Sequence, residues 1–241
     1  MTKDTANVSD AKETTPEQPG ENRLRPSTIF LVLVSILAFL GIVVWAYGDA
    51  RRFFEHPARL GMVIATVLLS ILALFTRSSG LSSGEREDRG NRWVVPAISV
   101  LSLLLAWLPP YLDGRDLWTL QHPIIPYVGL ILYVLGSVLR LLPVFALGKR
   151  FSGLVAIQPG HRLKSDGIYR FIRHPSYAGL LILVTGLVLI FRCWIGLFLV
   201  VGILGILLAR IRSEEALLAS AFGEEYEAYR RRTWRLVPWL Y

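Results

Sequence analysis

The sequence predicts an all-α protein: a polytopic membrane bundle of about six transmembrane helices, with a short C-terminal helical hairpin and a cytoplasmic C-terminal helix. Three observations predict it. Of 241 residues, 53% are hydrophobic, and the mean hydropathy of +0.48 belongs to chains that face lipid. Apolar runs recur at close to the length of about 20 residues that a spanning helix needs. Charged residues, 18% of the chain, are unevenly spread, with nine in the first 27 residues and none from Thr28 to Gly48.

Residues 1–27 hold too little apolar side chain to fold alone and are expected to be a disordered tail. The tail is also too long and too acidic to begin a signal peptide, so the first helix is expected to be retained. The runs Thr28 to Tyr47, Leu60 to Phe75 and Trp93 to Leu112 predict three N-terminal membrane helices within residues 28–125. Between the second and third, Ser78 to Arg92 repeats Ser-Ser-Gly and continues as Glu-Arg-Glu-Asp-Arg, a solvated linker. Pro126 to Leu147 predicts a fourth helix and opens a second region, 126–241. The stretch from Pro175 to Ala209 is too long for one pass and is broken by Arg192-Cys193. It predicts a hairpin with arms Tyr177 to Phe191 and Trp194 to Ala209. Each arm would rise roughly 23 Å against a hydrocarbon core of about 30 Å, so the hairpin should thin the bilayer or stop short of its far side. Gly129 with Gly136, and Gly179 with Gly186, lie seven apart on single helix faces and predict close packing.

A net charge of +8 and a pI near 9.9 would suggest nucleic acid in a soluble chain. Here the basic residues flank the apolar runs. Segments 1–27, 76–92, 148–175 and 210–241 hold 20 of the 26, and the opposite loops hold five. That bias places both termini in the cytoplasm and excludes a nucleic-acid partner. The remaining one, Arg140, sits inside the fourth run, where a charge implies a cavity or a partner. One cysteine, Cys193, excludes an intramolecular disulfide and a Cys-based zinc cluster, and no metal is expected. No phosphate-binding Gly-Lys-Thr/Ser or G-x-G-x-x-G motif after a strand is present.

Two cytoplasmic stretches are too patterned to be connectors: Leu147 to Gly179 and Ala209 to Tyr229. The hairpin brings them together. Pro175 suits the first position of a helix, which puts Ser176 and Tyr177 in its first turn, where the dipole favours an anion. Asp166-Gly167 marks a tight turn. Arg210 and Glu214, four apart, share a helix face, and Glu215 lies beside it. Plainer roles exist for each. His174-Pro175 is one of three His-Pro pairs, with His56-Pro57 and His122-Pro123, that show no evident purpose. Arg210 and Arg212 fit snorkelling anchors, Tyr226 and Tyr229 fit interface anchors, and Glu214 and Glu215 fit a solvated face. Glu224, Glu225 and Glu227 with Arg230 to Arg232 fit an amphipathic helix held near anionic lipid.

Together these residues resemble the isoprenylcysteine carboxyl methyltransferase family. The resemblance rests on G-I-Y-R-F-I-R-H-P-S-Y-A-G (Gly167 to Gly179), the hairpin, R-I-R-S-E-E (Arg210 to Glu215) and F-G-E-E-Y (Phe222 to Tyr226). It implies an integral-membrane methyltransferase that uses S-adenosylmethionine in a cytoplasm-facing pocket without a soluble nucleotide-binding domain. The resemblance implies cofactor contacts at Gln158, His161, Arg162, Leu163, Lys164, Tyr169, His174, Pro175, Ser176, Tyr177, Glu214 and Glu215. It implies that Arg210 faces the substrate carboxylate, with His174 beside it. The acceptor it implies is a lipophilic or prenylated molecule entering from the bilayer.

The chemistry is consistent with such residues. A carboxylate is already ionised at neutral pH, so its methylation needs alignment and water exclusion more than a base or a metal. Arg210 can hold a carboxylate by a two-point fork, and Glu214 can balance a sulfonium. Two alternatives stay open. A phospholipid N-methyltransferase would need a base for its amine, which His174 or Glu215 could supply. A non-enzymatic membrane protein would explain Arg140 but not the His, Tyr and Glu constellation. A sterol-reductase-like enzyme using NADPH would need more passes than six.

Overall fold

The computed structural model describes residues 26–75, 86–87, 92–147, 156–157 and 163–238. They form α1 (Pro26–Tyr47), α2 (Ala50–Glu55), α3 (Pro57–Leu74), β1 (Arg86–Glu87), α4 (Val94–Gly114), α5 (Ile125–Leu147) and β2 (Ala156–Ile157). A 3-10 turn (Gly167–Arg170), α6 (Pro175–Ile190), α7 (Gly196–Phe222) and α8 (Glu224–Arg231) complete the chain. The architecture is helical, with β1 and β2 a two-residue antiparallel pair. Each predicted run lies on a helix. Among the described residues five helices, α1, α3, α4, α5 and α7, are long and apolar enough to cross a membrane.

Tight backbone contact joins α5 to α6. A Cβ on Gly129, Gly136, Gly179 or Gly186 would come within 2.3 to 2.5 Å of the partner helix's backbone, which no side chain tolerates. The glycines predicted to mark packing therefore set the distance between these two helices. The core runs through α1, α3, α4, α6 and α7, with Val43, Met62, Leu105, Val188 and Leu207 fully buried or nearly so.

The hairpin departs from expectation in its second arm. α6 has 16 residues, as short as predicted, but α7 runs 27 residues without a break through Arg210 and Glu215 to Phe222. Ala, Leu and Glu after Ala209 are good helix formers, and no Pro or Gly intervenes before Gly223. The end of the apolar run is not the end of the helix. Arg192, at φ +51, makes the sharp turn between the arms.

The two ends of the bundle are distinct. At one end β1 pairs with β2, Arg86 opposite Ile157 and Glu87 opposite Ala156. At the other, Asp113, with no exposed surface, accepts from Arg59 and Arg192, each at 2.6 Å. Asp116 accepts from Arg52 at 2.9 Å and Arg192 at 2.8 Å. The loops after α1, α4 and α6 are thus tied together.

Two of the three His-Pro pairs acquire a purpose. His56 Nδ1 accepts from the Ala58 N–H at 3.2 Å and His122 Nδ1 from the Ile124 N–H at 3.3 Å, so each caps the turn that follows. The His174 side chain makes no such bond. Tyr226 and Tyr229 are not interface anchors: both are buried, and the Tyr229 hydroxyl donates to the Tyr169 carbonyl at 2.8 Å.

Candidate functional site

The site lies where the start of α6 meets the second half of α7. Pro175 is the first residue of α6, and Ser176 and Tyr177 complete its first turn. The segment before it is fixed by the C-terminal tail. Arg173 N–H donates to the Trp234 carbonyl, His174 N–H to the Arg235 carbonyl, and Trp234 N–H to the Phe171 carbonyl, at 2.8 to 3.1 Å. A parallel bridge, Ile172 with Trp234, results. The tail thereby determines where the His174 ring sits.

That ring, 5% exposed, stacks on Tyr177 with centroids 5.6 Å apart and planes 12° from parallel. Its Nε2 is 3.4 Å from Glu215 Oε1 and its Nδ1 is 3.9 Å from Glu214 Oε2. Tyr177 bridges two charges. Its hydroxyl accepts from Arg210 Nε at 2.6 Å and donates to Glu214 Oε2 at 2.8 Å. Arg210 is 6% exposed, whereas the Glu214 side chain keeps a third of its surface open.

Glu215 has a different setting from its neighbour. It is 5% exposed and accepts from Arg173 Nε at 2.9 Å on one oxygen and from Arg235 at 2.9 to 3.0 Å on the other. Arg173 also donates to the carbonyls of Arg230 and Thr233 and to Thr233 Oγ1. The solvated reading of Glu215 is therefore wrong; its charge is needed inside to hold two arginines.

Tyr169 is buried nearby. Burial, and then the charge of Glu214, raises its phenol above the usual range. Burial likewise pushes Tyr229 up to about 12 and raises Tyr226. All three phenols are neutral at physiological pH.

Of the residues predicted for the site, Tyr169, His174, Pro175, Ser176, Tyr177, Arg210, Glu214 and Glu215 are gathered here. Lys164 pairs with Asp166 at 2.9 Å on the surface, and Leu163 is half-buried beside it. Gln158, His161 and Arg162 lie outside the described residues. Arg173, Arg235 and Thr233 carry structural weight that sequence reasoning did not assign. Arg173 stood inside the quoted motif, but nothing in the sequence marks Arg235 as its companion.

The arrangement offers a part-open carboxylate, a helix N-terminus and a buried arginine, linked by one phenol. Residues 129–220 match the family model described as the isoprenylcysteine carboxyl methyltransferase (ICMT) family. The match takes in Gly167 to Gly179 and Arg210 to Glu215 and ends just before Phe222. A probable protein-S-isoprenylcysteine O-methyltransferase of Oryza sativa subsp. indica is 32% identical over 123 residues, 50% of this chain and 64% of that one. The protein-S-isoprenylcysteine O-methyltransferase of Schizosaccharomyces pombe is 36% identical over 107 residues, 43% and 45% of the two chains. The chain thus matches less than two thirds of the length of these relatives. A solved eukaryotic intramembrane Ras methyltransferase ICMT shares the fold, with a TM-score of 0.55, 18% identity, and coverage of 88% of this chain and 77% of that one.

Proposed function

We propose that this chain, which carries the isoprenylcysteine carboxyl methyltransferase family segment over residues 129–220, is an integral-membrane O-methyltransferase. It moves a methyl group from S-adenosylmethionine to the carboxylate of an isoprenylcysteine-like or other lipid acceptor. The observation that carries this reading is the Tyr177 hydroxyl held between Arg210 and Glu214. The residues suit the cofactor: Glu214 is an open carboxylate for a cationic group, and Ser176 and Tyr177 begin a helix, where a carboxylate is favoured. S-adenosylmethionine, when bound, supplies an electrophilic methyl on sulfur. Arg210, whose Nε donates to Tyr177, orients the acceptor carboxylate. His174, packed flat on Tyr177, fixes the ring and excludes water. The reaction needs no base, and Glu215, already engaged by two arginines, is poorly placed to be one. This removes one of the two bases open to the amine-methylating alternative.

The excess of basic residues at this end supports a cytoplasmic site and two cytoplasmic termini. Arg230 to Arg232 suit contact with anionic lipid. Region 126–241 would hold the reaction core, and 28–125 would serve the acceptor. Protein purified in detergent should bind S-adenosylmethionine and not NADPH, and should methylate N-acetyl-S-farnesylcysteine. Binding of NADPH alone would overturn the proposal. External labelling of cysteines introduced in 148–175 would overturn the orientation.

A further inference from the structure

Phe171 and Trp234 join the segment before α6 to the C-terminal tail. The Trp234 N–H donates to the Phe171 carbonyl, the Arg173 N–H to the Trp234 carbonyl and the His174 N–H to the Arg235 carbonyl, at 2.8 to 3.1 Å. The fold fixes these backbones but turns large apolar side chains outward. Phe171 is 59% exposed, Trp234 40% and Val237 48%, whereas Tyr169, Thr233 and Leu236 are buried. A single exposed apolar side chain needs no explanation. A phenylalanine and a tryptophan on hydrogen-bonded neighbouring backbones make an edge that something should cover.

Two observations indicate what covers it. The first is height. α5 and α6 run antiparallel, and a Cβ on Gly179 would meet the Arg140 backbone nitrogen at 2.5 Å, so the start of α6 lies level with Arg140. α5 continues from Arg140 to Leu147, about 10 Å farther, through apolar residues alone. Leu142 and Phe145 on those turns are exposed. The chain enters α6 from that end, and Phe171 precedes Pro175 by only four positions, so the edge lies near the height of these apolar turns. The second is charge. Arg170 sets its guanidinium carbon 5.6 Å from the Phe171 ring centroid. Arg170 is exposed, as are Arg231 and Arg232 at the end of α8 that leads into the tail. The exposed acids Glu224 and Glu225 lie at the far end of that helix. The surface is thus aromatic at its centre and cationic at its rim. Aromatic rings favour the boundary between hydrocarbon and headgroups, and arginines beside them favour anionic lipid.

We propose that the edge of Phe171, Trp234 and Val237 docks into an anionic membrane surface, and that this contact holds the tail against the segment that places His174. The partner is the leaflet on the site's side of the bundle. Docking supports from outside the backbone bonds that Glu215 and its two arginines support from within. The order of the site then follows the charge of the bilayer. Docking stands apart from the methyltransferase reading, whereas its effect on cofactor affinity rests on that reading.

The test uses full-length protein in nanodiscs of phosphatidylcholine, with and without phosphatidylglycerol. A nitrobenzoxadiazole label on Val237→Cys should be quenched by lipids spin-labelled near the headgroup and not by aqueous iodide. A label on Glu224→Cys should show the reverse. Cys193 is buried and should stay unlabelled. The amides of Arg173, His174 and Trp234 should exchange about fivefold more slowly when phosphatidylglycerol is present, the scale of one basic side chain at an anionic surface. S-adenosylhomocysteine should bind more tightly by a similar factor. Arg231→Gln/Arg232→Gln should remove both gains and leave exchange in phosphatidylcholine unchanged. Phe171→Ser/Trp234→Ser should speed exchange in both bilayers. A Val237 label reached by iodide as readily as the Glu224 label would overturn the proposal. So would equal exchange in the two bilayers, or a gain that survives in the double glutamine variant. Slowed exchange with no gain in cofactor affinity, in a protein that binds the cofactor, would overturn the link to the site. A docked label and slowed exchange without S-adenosylhomocysteine binding in either bilayer would support the docking and remove the methyltransferase reading.

Discussion

Asp113 and Glu215 hold opposite ends of the bundle by the same device. Each is a buried carboxylate that takes two arginines from other elements: Arg59 and Arg192 for Asp113, Arg173 and Arg235 for Glu215. Glu214, one residue from Glu215, is different. A third of its surface is open, and its partner is a phenol. Burial and charge therefore do not by themselves identify function. A carboxylate enclosed by arginines has its interactions completed within the chain, whereas Glu214 keeps a third of its side chain open.

The largest effects should come from breaking the two hubs. Asp113→Ala strands Arg59 in the interior, and the loss of one partner from a buried pair costs about 3 to 5 kcal/mol. Glu215→Ala should cost a similar amount through Arg173. Their second readouts separate them. Asp113→Ala should lower Tm in detergent and leave the folded fraction with wild-type S-adenosylmethionine affinity. Glu215→Ala should lose both, because it also releases the tail that positions His174. Loss of cofactor affinity in folded Asp113→Ala protein would dissolve the contrast between the two ends.

Next in size is Arg210. If it holds the acceptor carboxylate, Arg210→Ala should cut kcat/KM by roughly ten- to more than a hundredfold, equivalent to about 1.5 to 3 kcal/mol. Affinity for S-adenosylmethionine should stay near wild type. Arg210→Lys should restore little, since an ammonium cannot both donate to Tyr177 and fork a carboxylate. A lysine variant with wild-type kinetics would reduce Arg210 to a headgroup anchor.

Glu214→Ala sharpens the comparison between neighbours. It should lower S-adenosylmethionine affinity by about tenfold or more, as the loss of a charged contact does, with a smaller change in Tm than Glu215→Ala. Glu227→Ala is the control. Its partner, Arg230, is i+3 on the exposed face of α8, and calorimetry should find the affinity unchanged. Equal affinity in both variants would mean that Glu214 does not face the cofactor.

Much of this was legible in the sequence, for reasons tied to local pattern. Pro175 starts α6 because a missing N–H costs nothing there, and Arg210 and Glu214 meet at Tyr177 because four residues make about one helical turn. The glycine pairs announced the α5–α6 contact. The hubs were not legible. Asp113 precedes a glycine at the end of an apolar run, as a solvated turn residue would, and only the fold reveals that Arg59 and Arg192 meet it from other loops. Likewise the solvated reading of Glu215 failed because its partners, Arg173 and Arg235, are 42 and 20 residues away. No spacing rule joins them.

The smallest effect tests where the Asp113 network ends. Arg52 and Asp116 extend it to the surface, each with about half of its side chain exposed. Hydrogen bonds from Arg52 and then Arg192 hold the Asp116 carboxyl below its usual range. A depressed carboxylate pKa contributes stability above the unfolded value, near 3.8, and that contribution is lost as pH falls through the folded value. Water and salt screen an exposed pair, so Arg52→Ala should cost no more than about 1 kcal/mol at neutral pH. The difference in Tm between Arg52→Ala and wild type should shrink below pH 4 and in 1 M salt, while the Asp113→Ala deficit persists in salt because Asp113 is sealed from solvent. A salt-resistant Arg52 effect of several kcal/mol would place Asp116 in the same enclosed hub as Asp113, and exposure would no longer distinguish the rim of this cluster from its centre.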